Sequence, residues 1–217
     1  LAEQLITVKR VQALLGTYET KLTLAQSVVP EREQIPYVTG GGGASEIYKR
    51  GFTWVFGLLS SVEAMGGTLM DWLAVEQDAG RLPRPLRVAL AWETTAHGQD
   101  FRNGVAGRAH AVPERFVLAL NESFDLNAKD FTPLMLKLQS AQADVFLSDS
   151  HYPDFVLQHR TYLQMKLSHA VVSYGPRGTE ASARETLGAG VDYLVSGQWW
   201  TPELPYPESK AFLRRYT

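Results

Sequence analysis

Cysteine is missing altogether from the 217 residues, which excludes disulfides, thiolate nucleophiles and cysteine metal ligands. That absence suits a reducing cytosol and an extracytoplasmic space equally, so it leaves the compartment open. Excess charge is missing too. With Lys+Arg 21 against Asp+Glu 23 the formal net charge is -2, so no basic field exists to hold a nucleic acid or an anionic membrane surface. Uninterrupted apolar runs of the roughly 18 residues needed to cross a bilayer are also lacking. The chain opens Leu1-Ala2-Glu3 with neither an initiator Met nor a charged-then-apolar signal segment, the start expected of a chain that begins inside something longer.

Catalytic patterns are equally scarce. Ser45, Ser61 and Ser150 all stand outside a G-x-S-x-G frame, which a strand-to-helix serine nucleophile would need. The five histidines, His97, His110, His151, His159 and His169, include no pair at the four-residue helical spacing of a metal site. Glu93, Asp149 and Asp154 offer carboxylates, yet no spacing singles out an acid and base pair. No enzyme, metal or cofactor is therefore expected. What is present is the composition of a folded domain: 45% hydrophobic and 20% charged residues with an ordinary share of Gly and Pro, excluding disorder, collagen and coiled coil.

Periodicity orders the chain. A helix from Leu1 runs into a short apolar strand at Val11 to Leu15, Thr20 to Glu33 predicts one helix ended by Ile35-Pro36, and Tyr37 to Thr39 a buried strand. Four glycines follow, and Ser45 is placed to cap the next helix. Phe52 to Phe56 predicts a strand, and Val62 to Ala79 a long helix with apolar residues at three- and four-residue steps. After a Pro-rich break, strands at Arg87 to Trp92, Arg115 to Leu120, Asp144 to Leu147, Ala170 to Ser173 and Tyr193 to Gly197 alternate with helices at Gln99 to Ala109, Phe131 to Ala141, Pro153 to Met165 and Glu180 to Leu187. Such alternation predicts βαβ units and parallel sheets. The expectation is an α/β chain of two Rossmann-like lobes, the first incomplete: residues 1–60 a partial first lobe, 61–84 a crossover helix and hinge, 85–198 the second lobe, and 199–217 a return crossover.

In open parallel sheets ligands bind beyond the carboxyl ends of the strands. The residues at those addresses are small and polar: Gly16-Thr17-Tyr18-Glu19-Thr20-Lys21, Thr39 to Ser45, Glu93 to Gly98, Ser148 to Tyr152, and Tyr174 to Gly178. His97 and His151 are candidate hydrogen-bond donors to a ligand, against solvated loop histidines as the alternative, whereas His110, His159 and His169 are expected at the surface. Arg177, between prolyl and glycyl residues, offers a guanidinium that grips a carboxylate in bidentate fashion or else a solvated loop arginine. The glycine run brings bare backbone N–H groups to an anion or simply turns the chain. Trp199 and Trp200 stack on a ligand or pack where the lobes meet.

Read in order, Leu14-Leu15-Gly16-Thr17-Tyr18, Ile35-Pro36-Tyr37-Val38-Thr39, Arg50-Gly51-Phe52, Arg87-Val88-Ala89-Leu90, His97-Gly98-Gln99-Asp100, Phe131-Thr132-Pro133 and Tyr174-Gly175-Pro176 resemble the type I periplasmic solute-binding proteins of branched-chain amino-acid ABC transporters and their amide-sensing relatives. The resemblance spans essentially the whole chain. It implies a periplasmic receptor that closes two lobes on a small solute, an amino acid, amide or carboxylate, and passes it to permease subunits; a ligand-sensing domain of the same fold in a signalling protein is the alternative. It also implies contacts near Tyr18, Thr20 and Lys21, at Gly41, Gly42 and Gly43, at His97, at His151 or Tyr152, and at Arg177. Gly43 lacks the hydroxyl that relatives use on a carboxylate. Arg177 stands where relatives carry an acidic residue for the α-ammonium group, so an ordinary branched-chain amino acid is disfavoured and an anionic or aromatic solute is expected. Glu180, three residues on, remains available for an ammonium if the loop shifts.

Overall fold

The computed structural model describes residues 1–216. The first half runs α1 (Ala2–Thr7), β1 (Leu14–Leu15), α2 (Thr20–Gln26), α3 (Val28–Glu33), β2 (Tyr37–Thr39), α4 (Ser45–Tyr48) and β3 (Val55–Gly57). Its strands form a parallel sheet in the order β1-β2-β3, packed around Ile6, Leu14, Tyr37, Ile47 and Val55. The strands are shorter than the apolar runs predict: β1 keeps only two residues, and β3 starts at Val55 rather than Phe52.

Two local expectations are corrected here. The single helix predicted over Thr20 to Glu33 divides at Ser27, because Pro30 has no N–H for the carbonyl of Gln26 and its ring crowds that turn. Ser27 meets the break with its own hydroxyl, which donates to the Thr23 carbonyl at 2.6 Å and accepts from Arg50 Nη2 at 2.6 Å. Ser45 is not the cap of α4; Ala44 holds that position. The Ser45 backbone N–H and hydroxyl instead donate to Asp100 Oδ2, at 2.7 and 2.8 Å, a tertiary partner 55 residues away that no local pattern announces.

The second half is longer and more regular. It comprises α5 (Val62–Asp78), β4 (Leu86–Glu93), α6 (Ala96–Ala111), β5 (Phe116–Phe124), α7 (Thr132–Ser140), β6 (Val145–Asp149), α8 (Tyr152–Gln164), β7 (Val171–Ser173), α9 (Ala181–Leu187), a 3-10 turn at Gly188–Val191, and α10 (Pro207–Tyr216). Ser61 caps α5, accepting from the Ala64 N–H at 3.1 Å. All four strands are parallel in the order β5-β4-β6-β7. Apolar layers cover both faces, one including Leu69, Leu73, Leu90, Phe101 and Leu147, the other Met135, Phe146, Phe155 and Tyr174. Coverage on both sides explains why β4 and β6 read as unbroken apolar runs rather than alternating ones. Helices α5 and α6 touch closely because Gly66 and Gly104 lack side chains: a Cβ at Gly104 would fall 2.0 Å from the Glu63 carbonyl oxygen.

The strand predicted over Tyr193 to Gly197 reduces to one parallel bridge, Ser173 to Val195. Tyr193 sits at φ 68°, a left-handed turn conformation, and after Val195 the chain follows the Gly175 turn, with the Gly197 N–H on the Gly175 carbonyl at 2.9 Å. His159, expected at the surface, is only 2% exposed, because α8 turns it onto Tyr174 (3.2 Å) and the Gly190 carbonyl (2.7 Å). Thr217, the last residue of the predicted return crossover, lies outside the described residues.

Candidate functional site

In the second sheet the chain leaves β4 for β5 on one side and returns to β6 on the other. A crevice opens where strand order reverses in this way, beyond the carboxyl ends. The segments after β4 and β6 flank it, and they carry Thr95, His97, Ser150 and His151. Facing them are the loops of the first sheet, and between the two lies a cavity of about 330 Å³. Tyr18, Thr20, Lys21 and Gly41, Gly42 and Gly43 line it from the first-sheet side, and His97, His151 and Arg177 from the other. Tyr152 does not line it. As the first residue of α8 it turns away, its hydroxyl 3.1 Å from Thr186 Oγ1 and its ring beside Phe155.

The glycine loop owes its shape to packing. Gly42 has φ 64° and donates its N–H to the Tyr18 carbonyl at 2.7 Å, and a Cβ on Gly41 would fall 2.2 Å from that same oxygen. Its carbonyls at Gly42 and Gly43 accept from the Tyr48 hydroxyl and the Val62 N–H. The N–H groups of Gly43 and Ala44 have no acceptor among the described residues.

The other wall is built on two carboxylates that end strands. Glu93 closes β4, Asp149 closes β6, and both are fully buried. Thr95 caps α6, accepting from the Gly98 N–H at 3.2 Å, and its hydroxyl donates to Glu93 Oε1 at 2.6 Å. The other Glu93 oxygen takes the His151 backbone N–H at 3.2 Å and the ring Nδ1 at 2.7 Å. His97 Nε2 stands 2.9 Å from Asp149 Oδ2; neither Asp149 oxygen has a hydrogen bond of good angle among the described residues, so this contact is a charge pair more than a directional bond. The two imidazoles lie 6.0 Å apart between centroids.

Burial works against charge on His97, yet the Asp149 carboxylate, with Glu93 behind it, outweighs burial and raises its pKa above the usual imidazole value. The hydrogen bond to Glu93 raises that of His151 in the same direction. For Glu93, burial opposes ionisation, but the bonds from His151 and Thr95 win and its pKa falls. Arg177 is anchored rather than free: Nε donates to the Ser150 carbonyl at 3.2 Å and Nη1 to Glu180 Oε1 at 3.1 Å. Glu180 is thus committed to Arg177 and to the Gly178 N–H at 2.7 Å.

Leu24, Leu59, Leu126 and Trp199 add apolar surface to the cavity, and Glu19 adds a carboxylate. Leu59 and Leu126 follow β3 and β5 closely, so scanning the loops after strands for apolar as well as polar residues would have found them. The Trp199 indole N–H donates to the Ser60 carbonyl at 3.0 Å, spanning 139 residues of sequence. Among the described residues no cluster of three or more His, Asp or Glu is arranged for a metal ion, and no helix is long and apolar enough to cross a membrane.

The description of the family called periplasmic binding protein matches residues 1–217, the whole chain. This chain belongs to that family. Among curated relatives, a Leu/Ile/Val-binding protein homolog 8 of Brucella abortus is 29% identical over 158 residues, which make up 72% of this chain and 39% of that protein. Among solved structures, a leucine-binding protein from Thermotoga maritima superposes with a TM-score of 0.83 at 17% identity, covering 99% of this chain and 59% of that one. An ABC-transporter solute-binding protein from R. palustris in complex with benzoate does so with a TM-score of 0.79 at 16% identity, covering 99% of this chain and 57% of the other. The fold of this periplasmic-binding-protein chain is therefore the α/β, parallel-sheet fold of the type I members; the match spans 39% of the curated relative's length and somewhat over half of the two solved chains.

Proposed function

We propose that the chain is the ligand-gripping part of an extracytoplasmic receptor for an ABC importer, holding a small carboxylate between its two sheets and delivering it to permease subunits. The carrying observation is the cavity wall: His97, His151 and Arg177 face it, each already balanced by Asp149, Glu93 or Glu180. A ligand anion meets three donor groups there, while Glu93, Asp149 and Glu180 beside them are committed, and the lining carboxylate, Glu19, stands on the opposite wall. Leu24, Leu59 and Trp199 supply a surface for an aromatic or branched body. Relatives that carry leucine and benzoate support both ends of this range, and the cation-facing wall favours the aromatic acid. Tyr18, Thr20, Lys21 and the backbone of Gly41 to Gly43 close on the solute from the first lobe, residues 1–60. Residues 61–84 form the crossover and hinge, 85–198 the second lobe, and 199–217 the return. Binding, not catalysis, is the activity.

Titration calorimetry of the purified protein against benzoate, 4-hydroxybenzoate, leucine and acetamide tests this reading. An aromatic acid is expected to bind most tightly, and Arg177→Ala to weaken it about tenfold or more, the usual loss for a charge-assisted bond. Tight leucine binding indifferent to Arg177→Ala overturns the reading.

A further inference from the structure

Glu93 and Asp149 stand apart from the cavity they serve. Neither lines it, and neither is exposed. A buried carboxylate is costly unless it is paired, and in both cases the pairing group is an imidazole from the cavity wall, Glu93 with His151 and Asp149 with His97. The consequence lies in the second nitrogen of each ring. A neutral imidazole whose Nδ1 donates to Glu93 presents Nε2 as a lone-pair acceptor, which repels a carboxylate; an imidazolium presents N–H there instead. For His97, whose Nε2 lies 2.9 Å from the Asp149 carboxylate, the charged ring likewise presents N–H at Nδ1.

We propose that Glu93 and Asp149 are positioning residues that set the charge of solute this cavity accepts: Glu93 holds His151 by a hydrogen bond at Nδ1 and Asp149 stands as a charge partner beside Nε2 of His97, so that the second N–H of each ring meets an anionic group. This rests on the reading of the cavity as a carboxylate site and adds what makes it selective. The charged surroundings are specific. His97 faces Asp149, Glu93 and Arg177, and His151 faces Glu93, His97 and Arg177. Asp154 on α8 lies near Glu93, His151 and Lys129, Glu180 neutralises Arg177, and Lys21 and Glu19 occupy the opposite wall. The carboxylates raise both imidazole pKa values and the neighbouring cations lower them, with the rise prevailing. As pH climbs through those raised values the second N–H groups are lost, and preference for an anion goes with them.

The test compares sodium benzoate with benzamide, its neutral isostere, by calorimetry from pH 5.5 to 9.5 in the wild-type chain, Glu93→Gln and Asp149→Asn. The wild-type chain is expected to prefer benzoate about tenfold or more at pH 6, one charge-assisted bond's worth of discrimination, and to lose that preference at alkaline pH. In each variant the loss comes at a lower pH, because the carboxylate that favours the charged imidazole is gone, while benzoate binding recovers at pH 5.5, which a merely structural defect would not allow. A preference flat with pH, or profiles in both variants that coincide with wild type, overturns the inference and leaves the carboxylate site standing. Binding of neither probe at any pH overturns both. Should a variant fail to fold, wild-type titrations in buffers of different ionisation enthalpy decide: proton uptake with benzoate on the alkaline side supports the inference, and no uptake at any pH overturns it.

Discussion

His159 illustrates how one residue's surroundings fix its proton. Its ring is stacked between Phe155 and Tyr162, with centroids 6.1 and 5.7 Å away, and its Nε2 must carry the hydrogen that the Gly190 carbonyl accepts, leaving Nδ1 for the Tyr174 hydroxyl. The ring is neutral, and burial holds its pKa below the usual imidazole value against the pull of Gly190. A histidine with a depressed folded pKa stabilises the fold above its unfolded value of about 6.5 and loses that contribution as pH falls below it. His169 acts in the same direction. His97 and His151, with raised values, do the reverse: their contribution is complete below about 6.5 and disappears as pH rises through the folded values. His159→Leu is expected to cost about 1–3 kcal/mol by stranding the Tyr174 hydroxyl and the Gly190 carbonyl, and to flatten the acid side of the melting-temperature profile. Thermal unfolding between pH 5 and 8 measures both. A sequence shows a histidine in a helix; which side of the helix meets Tyr174 becomes visible only once β7 is in place.

Among elements, the junction of α4, α5 and α6 ties the two sheets together. One oxygen of Asp100 on α6 receives the Ser45 N–H and hydroxyl from α4 and, at 3.3 Å, the Glu63 N–H from the first turn of α5. Ser45 lies two residues after Gly43 of the glycine loop, so this carboxylate holds one cavity wall against the other. Asp100→Ala leaves the buried Ser45 N–H without an acceptor, while the Ser45 hydroxyl keeps Glu63 Oε2 at 3.0 Å, and is expected to lower stability by about 1–3 kcal/mol, read as a shift in urea midpoint at unchanged slope. The alternation of strand and helix was legible because the apolar runs Val88 to Trp92 in β4 and Val145 to Leu147 in β6 are each bounded by turn residues and followed by a helical period. The departures come from partners distant in sequence or from chain chemistry: Asp100 moved the start of α4, Pro30 divided α2 from α3, and the turn at Tyr193 prevented an eighth strand. The site was legible to the extent that it follows topology. Segments that follow strands do line one cavity, with His97, His151 and Arg177 among them. That Glu93 and Asp149 pair with two of them was not, since the pairs join residues 58 and 52 positions apart in the chain.

At the scale of the whole molecule, the first sheet is thin. It has three strands, and both outer ones bear apolar residues in the open: Leu15 on β1 is 89% exposed, Phe56 on β3 is 49% exposed, and Leu58 just beyond is 73% exposed. Unpaired strand edges carrying apolar side chains invite another strand, and a net charge of -2 offers little repulsion against it. The 217-residue chain is expected to self-associate with rising concentration in sedimentation velocity, and Leu15→Lys together with Leu58→Lys to shift it toward the monomer. A chain that stays monomeric at high concentration without these changes contradicts the expectation.

Five tryptophans occur in the sequence, and of them Trp199 alone lines the cavity between the sheets, its indole tethered to Ser60. Fluorescence from an indole depends on the polarity and mobility of what surrounds it, and a solute entering beside Trp199 replaces water with an aromatic or aliphatic surface. The chain therefore carries its own optical reporter: occupancy is expected to change the emission of this one indole over a constant background from the other four, and Trp199→Phe to leave a protein whose light no longer registers the solute.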